Sequence, residues 1–277
     1  MVNIKKSIRK SISIEMFAYL IQNNILFKWV NNSGGGEIDS YSPDEMARYC
    51  ENVYQAYLDH GLELKGKRVL EVGPGRSLGI SLLFVLGGAK QVYAVDRFNC
   101  LSSDDDLVLE RLDPEWKRYL KRVEHIILPI EHLAERGIGE VDLIVSNAVL
   151  EHVSDLEQAI RSFHSLLSPN GVMIHKVDFR AHNRFLKRGP LYFLTYSSAL
   201  WRIMGNNIGA PNRMRPPDYR NILQRAGFEF ELQADEYFDL GEVRNAKEGY
   251  LRGTRFANMS LYDLSVATCW LVGTPRL

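Results

Sequence analysis

The sequence predicts an α/β protein built on a doubly wound, mostly parallel sheet. Three observations carry that expectation. From Lys67 onward, short apolar runs of strand length alternate with longer helical stretches, the pattern of a parallel sheet covered on both faces. The first run, Val69 to Val72, leads straight into the glycine-rich turn Gly73-Pro74-Gly75 and then into a helix. An aspartate, Asp96, closes the second run 23 residues past Gly73, where an acid can accept hydrogen bonds from a ribose.

The elements follow in order. Residues 1–58 are expected to form an N-terminal helical segment that caps the site. Lys5, Lys6, Arg9 and Lys10 precede an apolar run, Ile12 to Val30, which Glu15, Gln22, Asn23, Asn24 and Lys28 interrupt. That run is too polar for a bilayer span and lacks a small-residue cleavage site. A membrane-surface helix is the less favoured reading, since amphipathic patterns usually mark core-facing helices. After the break at Asn31 to Gly36, Ser42-Pro43-Asp44-Glu45 reads as a helix start with a capping box. Met46, Tyr49, Cys50, Val53 and Tyr57 then recur at helical spacing.

Strands are predicted at Arg68–Val72, Gln91–Val95, Val123–Leu128, Val141–Ser146 and Val172–Lys176, with two more at Phe228–Leu232 and Leu261–Val272, seven in all. Helices fit at Ile80–Leu86, Asp113–Lys121, Leu156–Leu167 and Asp218–Ala226. Residues 59–277 thus make one domain. The aromatic-rich stretch 179–217 (Phe179, Phe185, Tyr192, Phe193, Tyr196, Trp201) is too long for a plain connection and is expected to cap the substrate side. A structural flap that enlarges the core is the alternative. Ligands on such sheets bind beyond the carboxyl ends of the strands, where strand order reverses.

Composition narrows the function. Lys and Arg total 34 and Asp and Glu total 34, so no basic excess points to nucleic acid. Three cysteines, Cys50, Cys100 and Cys269, are too few and too scattered for a disulfide frame, which suits a reducing cytoplasm. A homo-oligomer stays open.

The motifs sharpen the reading. Glu71 precedes the turn by two residues. A carboxylate there would repel a phosphate but favour a cationic group such as an amino-acid ammonium. The run Glu71, Gly73, Gly75 and Gly79 resembles motif I of the class I S-adenosylmethionine-dependent methyltransferases. The dinucleotide fingerprint needs its third glycine at Leu78 instead. Val141-Asp142-Leu143-Ile144-Val145-Ser146-Asn147, continuing into Leu150-Glu151-His152, resembles motif IV and its sequel in the small-molecule branch of that family, and the segment 226–228 resembles its ending. The resemblance covers about residues 42 to 178. It implies a Rossmann-like domain and S-adenosyl-L-methionine as cofactor, with S-adenosylhomocysteine as product. Its cofactor site would comprise Glu71, Gly73, Pro74, Gly75, Asp96, Arg97, Ile130, Glu131 and Asn147.

Methyl transfer to a hydroxyl gains from a base. His182 is the first candidate, with Asp178 to orient it; His175 and His152 follow. Each also suits a structural role. A metal held by these histidines is disfavoured, because magnesium prefers oxygen ligands. Arg213 and Arg215, two apart, would face the same way in an extended segment and bind a phosphate or carboxylate on the acceptor, with Tyr196 beside them. The arrangement Arg215, Asp218 and Tyr219 before a helix, with Ala226-Gly227-Phe228 behind it, resembles methyltransferases of bacterial surface glycans and secondary metabolites. That resemblance implies O-methylation of a hydroxyl on a small polar molecule, such as a sugar or sugar conjugate in glycan or secondary-metabolite biosynthesis. An N- or C-methyltransferase of a natural product or lipid, a nicotinamide-dependent nucleotide-sugar oxidoreductase and a non-catalytic module are the rivals.

Overall fold

The computed structural model describes residues 41–181, 188–204 and 210–276. The expected helix before residue 41, the base candidate His182 and part of the insertion lie outside the described residues.

Helix α1 (Pro43–Asp59) starts where the sequence places it. Ser42 accepts from the Glu45 N–H, and the Glu45 carboxylate accepts from the Ser42 N–H at 2.8 Å. This reciprocal box satisfies donors that a helix start otherwise leaves bare. Its buried stripe is Met46, Ala47, Cys50, Val53 and Tyr57, the i, i+3, i+4 pattern of a helix laid on a core. The stripe lies on α2 (Gly79–Leu86), which follows β1 (Arg68–Val72). A Cβ at Gly79 would meet Cys50 Sγ at 2.7 Å. The third glycine of the turn motif therefore serves the close approach of two helices.

The chain continues through β2 (Gln91–Asp96), α3 (Asp105–Leu112), the single turn α4 (Trp116–Tyr119), β3 (Val123–Ile127), β4 (Val141–Asn147), α5 (Leu156–Leu166) and β5 (Leu167–Asp178). After the insertion, which holds α6 (Ser198–Met204), come α7 (Pro216–Arg225), β6 (Phe228–Tyr237), α8 (Leu240–Glu248), α9 (Leu261–Ser265) and β7 (Val266–Pro275). The seven strands form one sheet in the order β3-β2-β1-β4-β5-β7-β6. All pairs are parallel except those of β7, which runs antiparallel to both neighbours. Strand order reverses between β1 and β4, where Val72 pairs with Ser146. A crevice opens at such a reversal because the two connections leave in opposite directions.

Alternating side chains divide the core between the two faces of the sheet. Val69, Val145, Ile174 and Trp270 pack under α1 and α2. Leu70, Val72, Ile144, Met173 and Val177 pack under α5 and α7 with Phe163, Tyr219 and Phe228. A further cluster joins the insertion to α8: Leu191, Phe193, Leu194 and Trp201 bury against Val243, Ala246, Leu251 and Phe256.

Two expected elements differ. The helix expected at Asp113–Lys121 is shortened to the turn α4, and the unanticipated α3 ends ahead of it at Leu112, because Asp113 stands before Pro114 and is extended (φ −157°, ψ 123°); the proline ring disfavours helical geometry in the residue ahead of it. The strand expected from Leu261 begins at Val266. Ser260 accepts from the Asp263 N–H at 3.0 Å and nucleates α9 first. Helix α8, with Asp239 as its cap, was not anticipated. Among the described residues, no helix is long and apolar enough to cross a membrane.

Candidate active site

The glycine turn closes over the ends of β1 and β2. The Gly73 N–H donates to the Val95 carbonyl at 2.7 Å, and the Gly75 N–H donates to Asp96 Oδ2 at 3.3 Å. Both glycines have positive φ, +72° and +67°, which costs a side-chain-bearing residue about 1 kcal/mol or more. Their surroundings differ. A Cβ at Gly73 would meet Val149 Cγ2 at 2.5 Å, whereas one at Gly75 would meet nothing within 4 Å. So Gly73 lets the loop after β1 touch the loop after β4, and Gly75 keeps open the space above the turn. Pro74, between them, is half-buried.

Three carboxylates surround this turn. Glu71 is buried at the end of β1 and accepts from the Ser81 hydroxyl of α2. Burial pushes its carboxyl up to about 7; Ser81 opposes the rise, and Asp96 and Asp105 add to it. Asp96 accepts from the Phe98 N–H at 3.2 Å as well as from Gly75, and burial raises its carboxyl too. Asp105, from the start of α3, accepts from the Leu78 N–H at 3.3 Å. Sequence reasoning missed Asp105 and Ser81, because only the packing of α2 and α3 brings them to the turn.

The second wall is the tip of β4. Asn147 donates through Nδ2 to the Tyr49 hydroxyl of α1 at 2.7 Å. Ala148 takes a left-handed backbone (φ +54°), and its N–H donates to the Lys176 carbonyl at 3.0 Å. The Leu-Glu-His segment then forms a short 3-10 turn, Leu150–His152. Asn212 clamps it: its side chain donates to the Leu150 carbonyl at 2.9 Å and its N–H to the Glu151 carbonyl at 2.6 Å. His152 Nε2 lies 3.9 Å from Glu151 Oε1, with the histidine 26% exposed and the glutamate 2%. Burial, reinforced by the charge of Asp178, holds the Glu151 carboxyl well above its ordinary range.

Of the other expected site residues, His175, Arg213 and Arg215 stand away from their expected roles. His175 is in the core: its Nδ1 meets Ser146 Oγ at 2.7 Å, its ring stacks on Phe163 at 5.3 Å, and burial pushes it down to about 3. It points to the α5 face of β5, because strand side chains alternate, and cannot act as the base. Asp178 binds the Arg180 guanidinium at 2.8 Å, and Arg180 also reaches Glu236 at 3.0 Å, so among the described residues Asp178 orients a guanidinium rather than a histidine. Arg213 and Arg215 do not form a paired anion site. Arg213 has φ +62°, which breaks the extended run; its guanidinium donates to the Tyr196 carbonyl and lies 4.9 Å over Trp201. Arg215 is fully buried and donates to the carbonyls of Phe179 at 3.0 Å, Leu264 at 2.9 Å and Val266 at 2.5 Å. Tyr196 packs edge-on to Tyr192 and stacks with Trp201. Ile130 joins the core under α5, the Glu131 carbonyl accepts from Ser162, and Arg97 lies exposed over Phe98. The N–H that closes the end of β3 is that of Leu128, donated to the Asp96 carbonyl at 2.8 Å.

The β1–β4 reversal thus carries a carboxylate-led glycine turn, a β2-terminal aspartate and an Asn-led 3-10 turn around one crevice. A family profile described as a methyltransferase domain matches residues 44–233, a span that holds all of these parts. The chain belongs to the class I S-adenosylmethionine-dependent methyltransferases. The methyltransferase is 32% identical over 198 residues to a ubiquinone biosynthesis O-methyltransferase of Bordetella bronchiseptica, covering 69% of this chain and 76% of that one. It is 28% identical over 174 residues to the protein of the same name in Acinetobacter baylyi, covering 62% and 68%. For a third, in Xanthomonas euvesicatoria, the match spans about half of the relative's length (52%). An O-methyltransferase family protein of Burkholderia thailandensis shares the fold at a TM-score of 0.50 and 11% identity, over 84% of this chain and 58% of that one.

The residues fit the cofactor. The open space over Gly75 is a cradle that a Cβ would fill, and Asp96 faces it across the turn. S-adenosylmethionine supplies an electrophilic methyl group on a sulfonium when bound; the protein's part is to align donor and acceptor.

The buried Glu71 makes a pH prediction. Its folded value, about 7, exceeds the ordinary 4.5, so between those values the folded protein binds more protons than the unfolded chain. Stability therefore falls as pH rises from 4.5 to 7, then levels off, by about 3 kcal/mol in total at ~1.4 kcal/mol per unit. Glu71→Gln should flatten that slope in urea titrations of the ligand-free protein. An unchanged slope would assign it to other groups.

Proposed function

We propose that the methyltransferase methylates a hydroxyl on a small molecule. The observation that carries this reading is His152, partly exposed in the turn that follows β4 and set against the buried Glu151 at 3.9 Å. A histidine suits removal of a hydroxyl proton near neutrality. The Glu151 carboxyl beside it, raised by burial, stabilises the resulting imidazolium only in its ionised form. The O-methyltransferase relatives support the same acceptor atom. Their printed role in ubiquinone biosynthesis favours a ring hydroxyl of quinone type over the sugar hydroxyl expected from the sequence. The sugar expectation leaned on the resemblance of the segment around Arg215, Asp218 and Tyr219 to glycan-type methyltransferases, and the Arg215 guanidinium in it is engaged with backbone carbonyls. The balanced charge of the chain supports a small acceptor rather than nucleic acid.

His152→Ala should lower kcat by roughly 10²- to 10⁴-fold, the usual worth of a positioned base, while calorimetry shows S-adenosylhomocysteine binding unchanged within about twofold. Turnover that survived the substitution would point to an amine acceptor, whose attack needs no base. A paired acceptor panel of dihydroxy-aromatic acids and simple glycosides separates the ring hydroxyl from the sugar.

A further inference from the structure

We propose that Tyr49 of α1 is a cofactor-binding residue, its hydroxyl donating a hydrogen bond to the carboxylate at the methionine end of the donor. The inference rests on the cofactor lying across the β1–β4 crevice.

Placement comes first. Cys50 and Tyr57 anchor α1 against the Gly79 turn of α2 and against Phe84 and Trp270. Tyr49 stands at the edge of that anchored stripe and crosses to the tip of β4. Its oxygen accepts from Asn147 Nδ2 at 2.7 Å. Asn147 follows Ser146, which pairs with Val72, the residue ahead of Gly73. The phenol oxygen therefore stands over the crevice where β1 and β4 end.

The hydrogen-bond inventory comes second. The Asn147 amide uses one lone pair of the phenol oxygen, so the tyrosine's own proton must point elsewhere. No described residue accepts it. A phenol has a single O–H to give, and in a largely enclosed place it calls for an acceptor. Burial pushes the Tyr49 phenol up to about 12, so it keeps that proton throughout the working pH range.

The chemistry of the ligand comes third. The methionine end of the donor carries an ammonium and a carboxylate on one carbon. Glu71 and Asp96 offer negative charge on the glycine-turn side of the crevice, which suits the ammonium. The neutral O–H of Tyr49, at the tip of β4, suits the carboxylate, to which a charge-assisted bond is stronger than one between neutral groups. Nothing in the periodicity of α1 separated Tyr49 from the apolar positions around it; only its reach to Asn147 does.

The test is calorimetry of the full chain with two probes: S-adenosylhomocysteine, and 5′-methylthioadenosine, which lacks the amino-acid end. Tyr49→Phe should raise the Kd for the first about tenfold and leave that for the second unchanged. A phenylalanine variant that binds both as tightly as the wild type overturns the proposal. Equal weakening of both overturns it too, because the hydroxyl would then act only through the fold. Wild-type protein that bound neither probe would instead overturn the placement of the cofactor in this crevice.

Discussion

Gly73→Ala should weaken cofactor binding and destabilise the fold, whereas Gly75→Ala should weaken binding with a smaller loss of stability. Both positions have positive φ, so each substitution costs about 1 kcal/mol in backbone strain. The contrast lies in what the new methyl meets. At position 73 it falls 2.5 Å from Val149, and the loops after β1 and β4 must separate. Overpacking of that kind costs a further ~1–3 kcal/mol, and the separation moves Asn147 with its loop. At position 75 the methyl enters space free of protein atoms, which is where the ligand must approach the bare backbone. Denaturant midpoints should place Gly73→Ala well below Gly75→Ala. Calorimetry with S-adenosylhomocysteine should show at least a hundredfold weakening for both. A Gly75→Ala variant that bound normally would mean the cofactor does not use the cradle over that residue.

Arg215→Met should destabilise the protein by about 3–5 kcal/mol, one of the larger effects available from a single residue. The guanidinium is fully buried and ties three separate parts of the chain: the Phe179 carbonyl at the end of β5, those of Asp263 and Leu264 in α9, and that of Val266 at the start of β7. Its loss leaves those carbonyls buried without donors, and each orphan costs about 1–3 kcal/mol, partly recovered by relaxation. Burial brings the guanidinium down to about 10, still charged at neutral pH. Arg215→Lys should recover only a fraction, because a single ammonium cannot fan out to carbonyls that a planar fork reaches together. Urea unfolding checks the magnitude. If Arg215 instead bound an acidic group of the acceptor, the variant would keep its stability and show a raised KM.

How much of this site could be read ahead of the structure depends on how local each signal is. Arg68–Val72, the glycine turn and Asp96 follow one another within a single β-α-β unit, so their spacing alone places them at one edge of the sheet. The capping box at Ser42 and Glu45 is equally local. His175, Arg213 and Arg215 were misread for the opposite reason. A polar residue near a strand tip has two faces to choose from, and what decides is the element waiting on each. For His175 it is Phe163 of α5, 5.3 Å away. For Arg215 it is a row of carbonyls supplied by residues 263 to 266. Tyr49 is the converse case, an aromatic in a core-like stripe that proves to reach a strand tip.

The sequence by itself determined the alternation of strands and helices and the glycine turn, because those depend on neighbours within a few tens of residues, and the resemblance of that turn to a known family's motif implied the donor. Only the tertiary structure decided which polar groups face the crevice and which hold the frame. That choice belongs to contacts between segments far apart in the chain: Asn147 with Tyr49, Leu78 with Asp105, Arg215 with Val266. Burying a polar group is tolerated only where a partner meets it, and the fold alone supplies those partners.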